Sequence, residues 1–96
     1  MKLAVDNQKL RSVCDRENVV YLGLFGSQAR GESRPKSDID LLVEFNNTKS
    51  YFELARIQQE LELMFKRRVD LVFKNNIKSS LKPYILKDLV TLYEKR

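Results

Sequence analysis

Two seven-residue, largely apolar runs constrain this chain more than anything else in it: Val19–Phe25, which stops at Gly26-Ser27, and Ile39–Phe45, which begins directly after Asp38. Runs this short, bounded by turn residues, read as buried strands. Side chains two apart in a strand share a face, so Asp38 and Asp40 point the same way at the head of the second run. Two like charges ~4 Å apart repel by about 1 kcal/mol in bulk water and about 4 kcal/mol at a protein surface. A bound cation reverses that sign. Mg²⁺ suits the site, because it takes hard oxygen ligands, keeps some waters and is held by one or two carboxylates together with substrate phosphates. The Gly-Ser turn offers the complementary half: Gly26 permits close backbone approach, while the Ser27 hydroxyl and the N–H groups opening a following helix can donate to a phosphate oxygen. Taken alone, a Gly-Ser pair is a surface turn and an Asp-x-Asp a solvated strand end. Flanked by strands, in this order and separated by a ten-residue spacer, the two together read as a metal and phosphate site.

The rest of the composition narrows the chemistry. Ninety-six residues, 43% hydrophobic and 32% charged, suit one globular domain with a modest core, and residues 1–96 are expected to form it. The chain has no His, which excludes His-ligated zinc, Ser-His-Asp triads and imidazole bases. Cys14 falls in an amphipathic pattern with Leu10 and Val13 and reads as a packed, reduced core cysteine. No apolar run reaches the ~20 residues that span a bilayer, and the N-terminus lacks the apolar centre of a signal peptide, so the expected location is the cytoplasm. The net charge of +5 is uneven: residues 1–48 hold seven Lys/Arg against seven Asp/Glu, and residues 49–96 hold eleven against six. That excess, densest at Lys66, Arg67, Arg68, Lys74 and Lys78, suits an anionic ligand or partner: a triphosphate, an RNA or an acidic protein.

Along the chain, Lys2 to Glu17 predicts a helix with Leu3, Leu10, Val13 and Cys14 near one face. A short helix is expected over Gln28–Gly31, and Pro35 keeps the following loop from helix before Asp38. For Gly26 and Asp38 to share a site, the first two strands must run antiparallel. Ser50 and Glu53 fit a capping box opening a helix with Leu54, Ile57, Leu61, Met64 and Phe65 in the core. Val69–Phe73 is a third strand, parallel to the second because a helix crosses between them, with Val69, Leu71 and Phe73 on one face and Asp70 on the other. Lys74–Ser80 is a polar connection, and Leu81–Lys95 is expected to be a last helix with Pro83 in its first turn. The order αβαβαβα predicts an α/β (α+β) fold with a small mixed three-stranded sheet packed by helices.

Gly26-Ser27, then Ala29-Arg30-Gly31, then Ser37-Asp38-Ile39-Asp40-Leu41-Leu42-Val43 resembles the signature of the DNA polymerase beta-type nucleotidyltransferases, in particular their minimal, MNT-type branch. The similarity runs from about Val19 to Phe73; Gln28 departs from it where relatives commonly carry a basic residue. The resemblance implies a nucleotidyltransferase fold and Asp70 as a third carboxylate beside Asp38 and Asp40. It also implies two Mg²⁺ ions, with Mn²⁺ as a substitute, held by these three residues, and ATP bound through Gly26, Ser27 and Arg30. Small proteins of this branch are commonly antitoxins that transfer AMP to a tyrosine of a HEPN ribonuclease toxin in a hetero-oligomer, with nucleic acid not required. Two other readings remain beside it: a binding-only antitoxin module without turnover, and nucleotidyl transfer to RNA or a small molecule, for which the expected acceptor-binding domain is lacking.

Overall fold

The computed structural model describes residues 6–26, 29 and 38–95. Helix α1 (Asn7–Arg16) opens at Asp6, whose carboxylate accepts from the backbone N–H of Gln8 at 2.9 Å and of Lys9 at 3.2 Å. That cap satisfies donors with no partner inside the helix, and it starts α1 at Asn7 where the periodicity placed the start at Lys2. Leu3 lies outside the described residues. Leu10, Val13 and Cys14 form the buried face. Burial pushes the Cys14 thiol up to about 12, in keeping with a packed, unreactive cysteine.

Strands β1 (Val19–Phe25) and β2 (Ile39–Phe45) have the expected bounds and pair antiparallel, with Gly23 opposite Leu42 and Phe25 opposite Asp40. Ser50 and Glu53 form the expected capping box, the Ser50 hydroxyl accepting from Glu53 N–H at 3.1 Å and the Glu53 carboxylate from Ser50 N–H at 3.0 Å. Helix α2 (Tyr51–Phe65) follows, burying Ile57, Leu61 and Phe65, with Met64 packed at the edge of the same cluster and Leu54 half-buried. Strand β3 (Val69–Phe73) lies parallel to β2, Asp70 alongside Asp40.

The C-terminal segment departs from the expectation of a single helix. Pro83 does sit in the first turn of a helix, but that helix, α3, covers only Lys82–Lys87, and the chain continues as β4 (Val90–Glu94), antiparallel to β1. The sheet therefore has four strands, in the order β3-β2-β1-β4. Val90, Thr91 and Tyr93 are good strand formers. The free edge of β1 offers a ladder of backbone partners that a continued helix would leave unused. Leu89 packs over the sheet so closely that a Cβ on Gly23 would come within 2.7 Å of its Cδ1, and the Tyr21 hydroxyl meets Thr91 Oγ1 at 2.9 Å.

The core lies between one sheet face and helices α1 and α2: Leu10, Cys14, Leu22, Leu24, Ile39, Leu41, Val43, Ile57, Leu61, Phe65 and Val69 pack in one cluster. Its rim is pinned by Glu17, a carboxylate only 4% exposed. Glu17 accepts from Arg16 Nε at 3.1 Å and Arg56 Nη2 at 2.9 Å, and the buried Lys49 ammonium lies 3.8 Å away. One side chain thus joins the end of α1, the β2–α2 turn and α2. Burial alone would raise the Glu17 carboxyl, but hydrogen bonds from Arg16 and Arg56, reinforced by their charge, outweigh it and hold the group below the usual carboxylate range.

A carboxyl whose folded value is lowered contributes stability above the ordinary carboxylate range and loses it as pH falls toward the lowered value. Glu17→Gln should therefore cost about 2 kcal/mol at neutral pH, less than a fully buried pair because both guanidinium groups remain more than half exposed. It should also flatten the acid limb of the stability profile. Thermal unfolding of both proteins from neutral into acid pH checks this, and parallel profiles would assign the acid limb to other carboxylates.

Candidate active site

The sheet directs its chemistry to one end. β1 finishes there at Phe25, while β2 starts there at Ile39 and β3 at Val69. Gly26 turns the chain with φ +78°, in the left-handed region, and a Cβ at this position would overlap the Asp40 carboxylate. Both the backbone angle and the lack of space require glycine. The turn after β1 is therefore pressed directly onto the half-buried Asp40, as the motif predicts.

Asp40 and Asp70 are register partners on adjacent parallel strands. Asp38 is exposed, one step before β2, and the backbone here is anchored where Ile39 N–H donates to the Arg68 carbonyl at 2.8 Å. Asp38 and Asp40 share a strand face by their spacing. The three are neighbours at one sheet end without being drawn into a closed cage: among the described residues no three carboxylate, cysteine or histidine side chains are grouped tightly enough to hold an ion by themselves. An all-oxygen donor set of this kind suits a hard divalent cation, and Mg²⁺ in particular leaves several positions to water and substrate phosphate. Ser27, Gln28 and Arg30 lie outside the described residues, as do Gly31 and the loop to Ser37. Of the short helix expected there, Ala29 is described; it is helical and packs against the core.

The basic residues do not form one surface. Arg67 and Arg68 stand at the carboxylate end of β3, in a groove with Gln59, Glu62 and Leu63. Lys74 follows the opposite end, its ammonium 3.7 Å from Glu44 and 5.0 Å from the Tyr21 ring centre. Helix α2 borders Asp70 as well, which its sequence pattern does not signal. Tyr51, Leu54, Ala55 and Gln58 line a groove of about 310 Å³ with Asp70, Leu71 and Phe73. Tyr51, Ala55 and Gln58 lie off the apolar stripe of the helix, whereas Leu54 belongs to it.

Residues 7–92 match the nucleotidyltransferase domain family. The chain belongs to that family. This nucleotidyltransferase is 37% identical over 76 residues to the protein adenylyltransferase MntA of Thermococcus cleftensis, across 79% of this chain and 77% of that protein. A solved structure provisionally named a minimal nucleotidyltransferase superposes with a TM-score of 0.71 at 33% identity, covering 93% of this chain and 98% of the other. The same fold recurs, with a TM-score of 0.66 and 20% identity over 93% of this chain and 70% of the other, in the complex of tri-AMPylated Shewanella oneidensis HEPN toxin with MNT antitoxin. The match places this α+β architecture, with its four-stranded mixed sheet, among nucleotidyltransferase folds, whose members use divalent metal ions. No helix among the described residues is long and apolar enough to cross a membrane.

Gly26→Ala should lower stability by about 1–2 kcal/mol, the cost of a non-glycine residue in the left-handed region, or roughly 4–8 °C in Tm for each kcal/mol in a chain of this size. It should also swing Asp40 out of register with Asp70 and weaken metal-dependent nucleotide binding. Calorimetry of melting and of ATP binding reads both effects; unchanged binding would detach the Gly26 turn from the site.

Proposed function

We propose that this nucleotidyltransferase is an antitoxin that transfers AMP from ATP to a hydroxyl of a protein partner, a tyrosine of a HEPN-family ribonuclease toxin with which it forms a hetero-oligomer in the cytoplasm. The observation that carries this reading is the contact of the Gly26 turn with Asp40, itself in register with Asp70. The contact supports a phosphate-approach turn beside paired carboxylates at one sheet end, in a chain whose relative is named a protein adenylyltransferase. The AMPylated toxin held by an MNT antitoxin of the same fold supports the choice of acceptor.

In the proposed reaction the acceptor oxygen attacks the α-phosphorus in line, a new P–O bond forms, and the bond to the β-phosphate oxygen breaks. Pyrophosphate leaves with that electron pair, and the acceptor's proton passes to a neighbouring carboxylate or to water. Asp38, Asp40 and Asp70 would hold two Mg²⁺ ions, or Mn²⁺ in their place, which when bound lower the pKa of the attacking hydroxyl and neutralise the triphosphate. Gly26 keeps the backbone close to the phosphates, with Ser27 and Arg30 assigned to phosphate contact. Orientation of the acceptor can account for about 7–11 kcal/mol of such a barrier, so a partner protein that presents its own tyrosine supplies much of the rate.

Incubation with ATP, Mg²⁺ and the HEPN partner should add one or more AMP groups to a tyrosine of the partner, read by mass spectrometry. Asp40→Asn should keep the fold and lower transfer by more than the ~10–100-fold typical of losing an outer-shell partner. Leu42→Asp, on a side chain 0% exposed in the same strand, should instead unfold the chain. Efficient transfer to a small-molecule alcohol with the partner left unmodified would overturn the assignment.

A further inference from the structure

The two ends of strand β3 are finished differently. β3 is an edge strand whose inner side pairs with β2. Ile39 N–H donates to the Arg68 carbonyl; in parallel pairing this turns the backbone groups of Asp70 and Val72 toward β2, and those of Val69 and Leu71 outward. At Val69 the outward groups are satisfied by helix α2: Val69 N–H donates to Glu62 Oε2 at 3.0 Å, and Gln58 Nε2 donates to the Val69 carbonyl at 3.0 Å. One step on, no hydrogen bond among the described residues reaches the outward N–H and C=O of Leu71. Among the described residues the edge is open there, beside the groove formed by Tyr51, Leu54, Gln58, Asp70 and Phe73.

We infer that the open edge at Leu71 is a docking rail for an extended, hydroxyl-bearing segment of the protein acceptor, which joins the sheet as a further strand and carries its hydroxyl past Asp70. This rests on the reading of the chain as a protein adenylyltransferase. An unpaired N–H and C=O at strand spacing are complemented by another extended backbone, with alternate side chains entering the adjoining groove. The groove is small, about 310 Å³, and suits a short strand rather than the edge of a second folded domain. Its walls are apolar at Tyr51, Leu54 and Phe73. Continuity with the carboxylate end decides the position, because Asp70 both lines the groove and lies in register with Asp40. Charge sets the partner's flank. The next groove along the same edge carries Arg67 and Arg68 against one carboxylate, Glu62, already engaged by Val69, and Arg67 Nη1 is buried with no hydrogen-bond partner among the described residues. The docked segment therefore has an acidic residue to one side of its hydroxyl.

The probe is a display library of peptides with a central tyrosine between randomised residues, selected on the intact chain. Selected peptides should carry an acidic flank, and their binding should slow hydrogen exchange of the Leu71 amide by about tenfold or more. Leu71→Pro removes an outward N–H and leaves the β2 ladder in place; it should weaken peptide binding about tenfold with metal-dependent ATP binding unchanged, and Tyr51→Ala should weaken it as well. If Leu71→Pro does not fold, an ester in place of the Leu71 amide removes the same donor and keeps the side chain. Peptides that bind the altered chain as tightly as the original, peptides that leave Leu71 exchange unchanged, an empty selection, or Leu71 protection by a second copy of this chain would each overturn the rail. Peptide docking at Leu71 without any ATP binding or AMP transfer would instead sink the transfer reading and leave the rail standing.

Discussion

Strand β2 is buried from both sides, and the rest of the molecule follows from that. Ile39, Leu41 and Val43 face the helices and Leu42 faces away from them, yet all four are at most 1% exposed. A strand covered on both faces needs cover from two layers. Helices α1 and α2 supply one, while the second is drawn from the end of the chain, where Leu89 and Tyr21 close over Gly23 beside Leu42. Burial of this extent is worth about 1.5–3 kcal/mol per aliphatic side chain, enough to fix the register of every neighbouring strand, since a slip by one residue would exchange the faces.

That fixed register gives the carboxylates their meaning. Asp40 is the first residue of β2 on the second face, half-buried, with its backbone held by the strand. Asp70 inherits its place from the same pairing. Such an arrangement holds the backbone and leaves the side chains open, as the proposed metal-binding role would require.

Other segments of the chain finish parts of the sheet's edges. β1 gains a partner in β4, and the head of β3 gains Gln58 and Glu62 from α2. Both devices satisfy backbone groups that an open sheet leaves exposed. Glu17 does the same work for charge, collecting Arg16, Arg56 and Lys49 around one carboxylate so that helices and turn cannot separate without stranding it.

The sequence by itself determined what is local. The bounds of β1, β2 and β3, the capping box at Ser50 and Glu53 and the Gly26 turn all follow from short apolar runs, breakers and periodicity. Even the strand directions were legible, because a crossing helix forces β3 parallel to β2. What only the tertiary structure decided is what depends on a partner distant in the chain. The helix over 82–87 would have continued by its periodicity, but the unpaired edge of β1 took Val90–Glu94 as a strand and made the sheet four-stranded. Asp6 starts α1 at Asn7, later than the apolar pattern does. Glu17, Gln58 and Glu62 look like surface residues in one dimension and become structural because folding brings cations or bare backbone groups within 3.1 Å of them. Local preference is written in neighbouring residues, whereas the satisfaction of buried charge and edge hydrogen bonds exists only once remote segments meet.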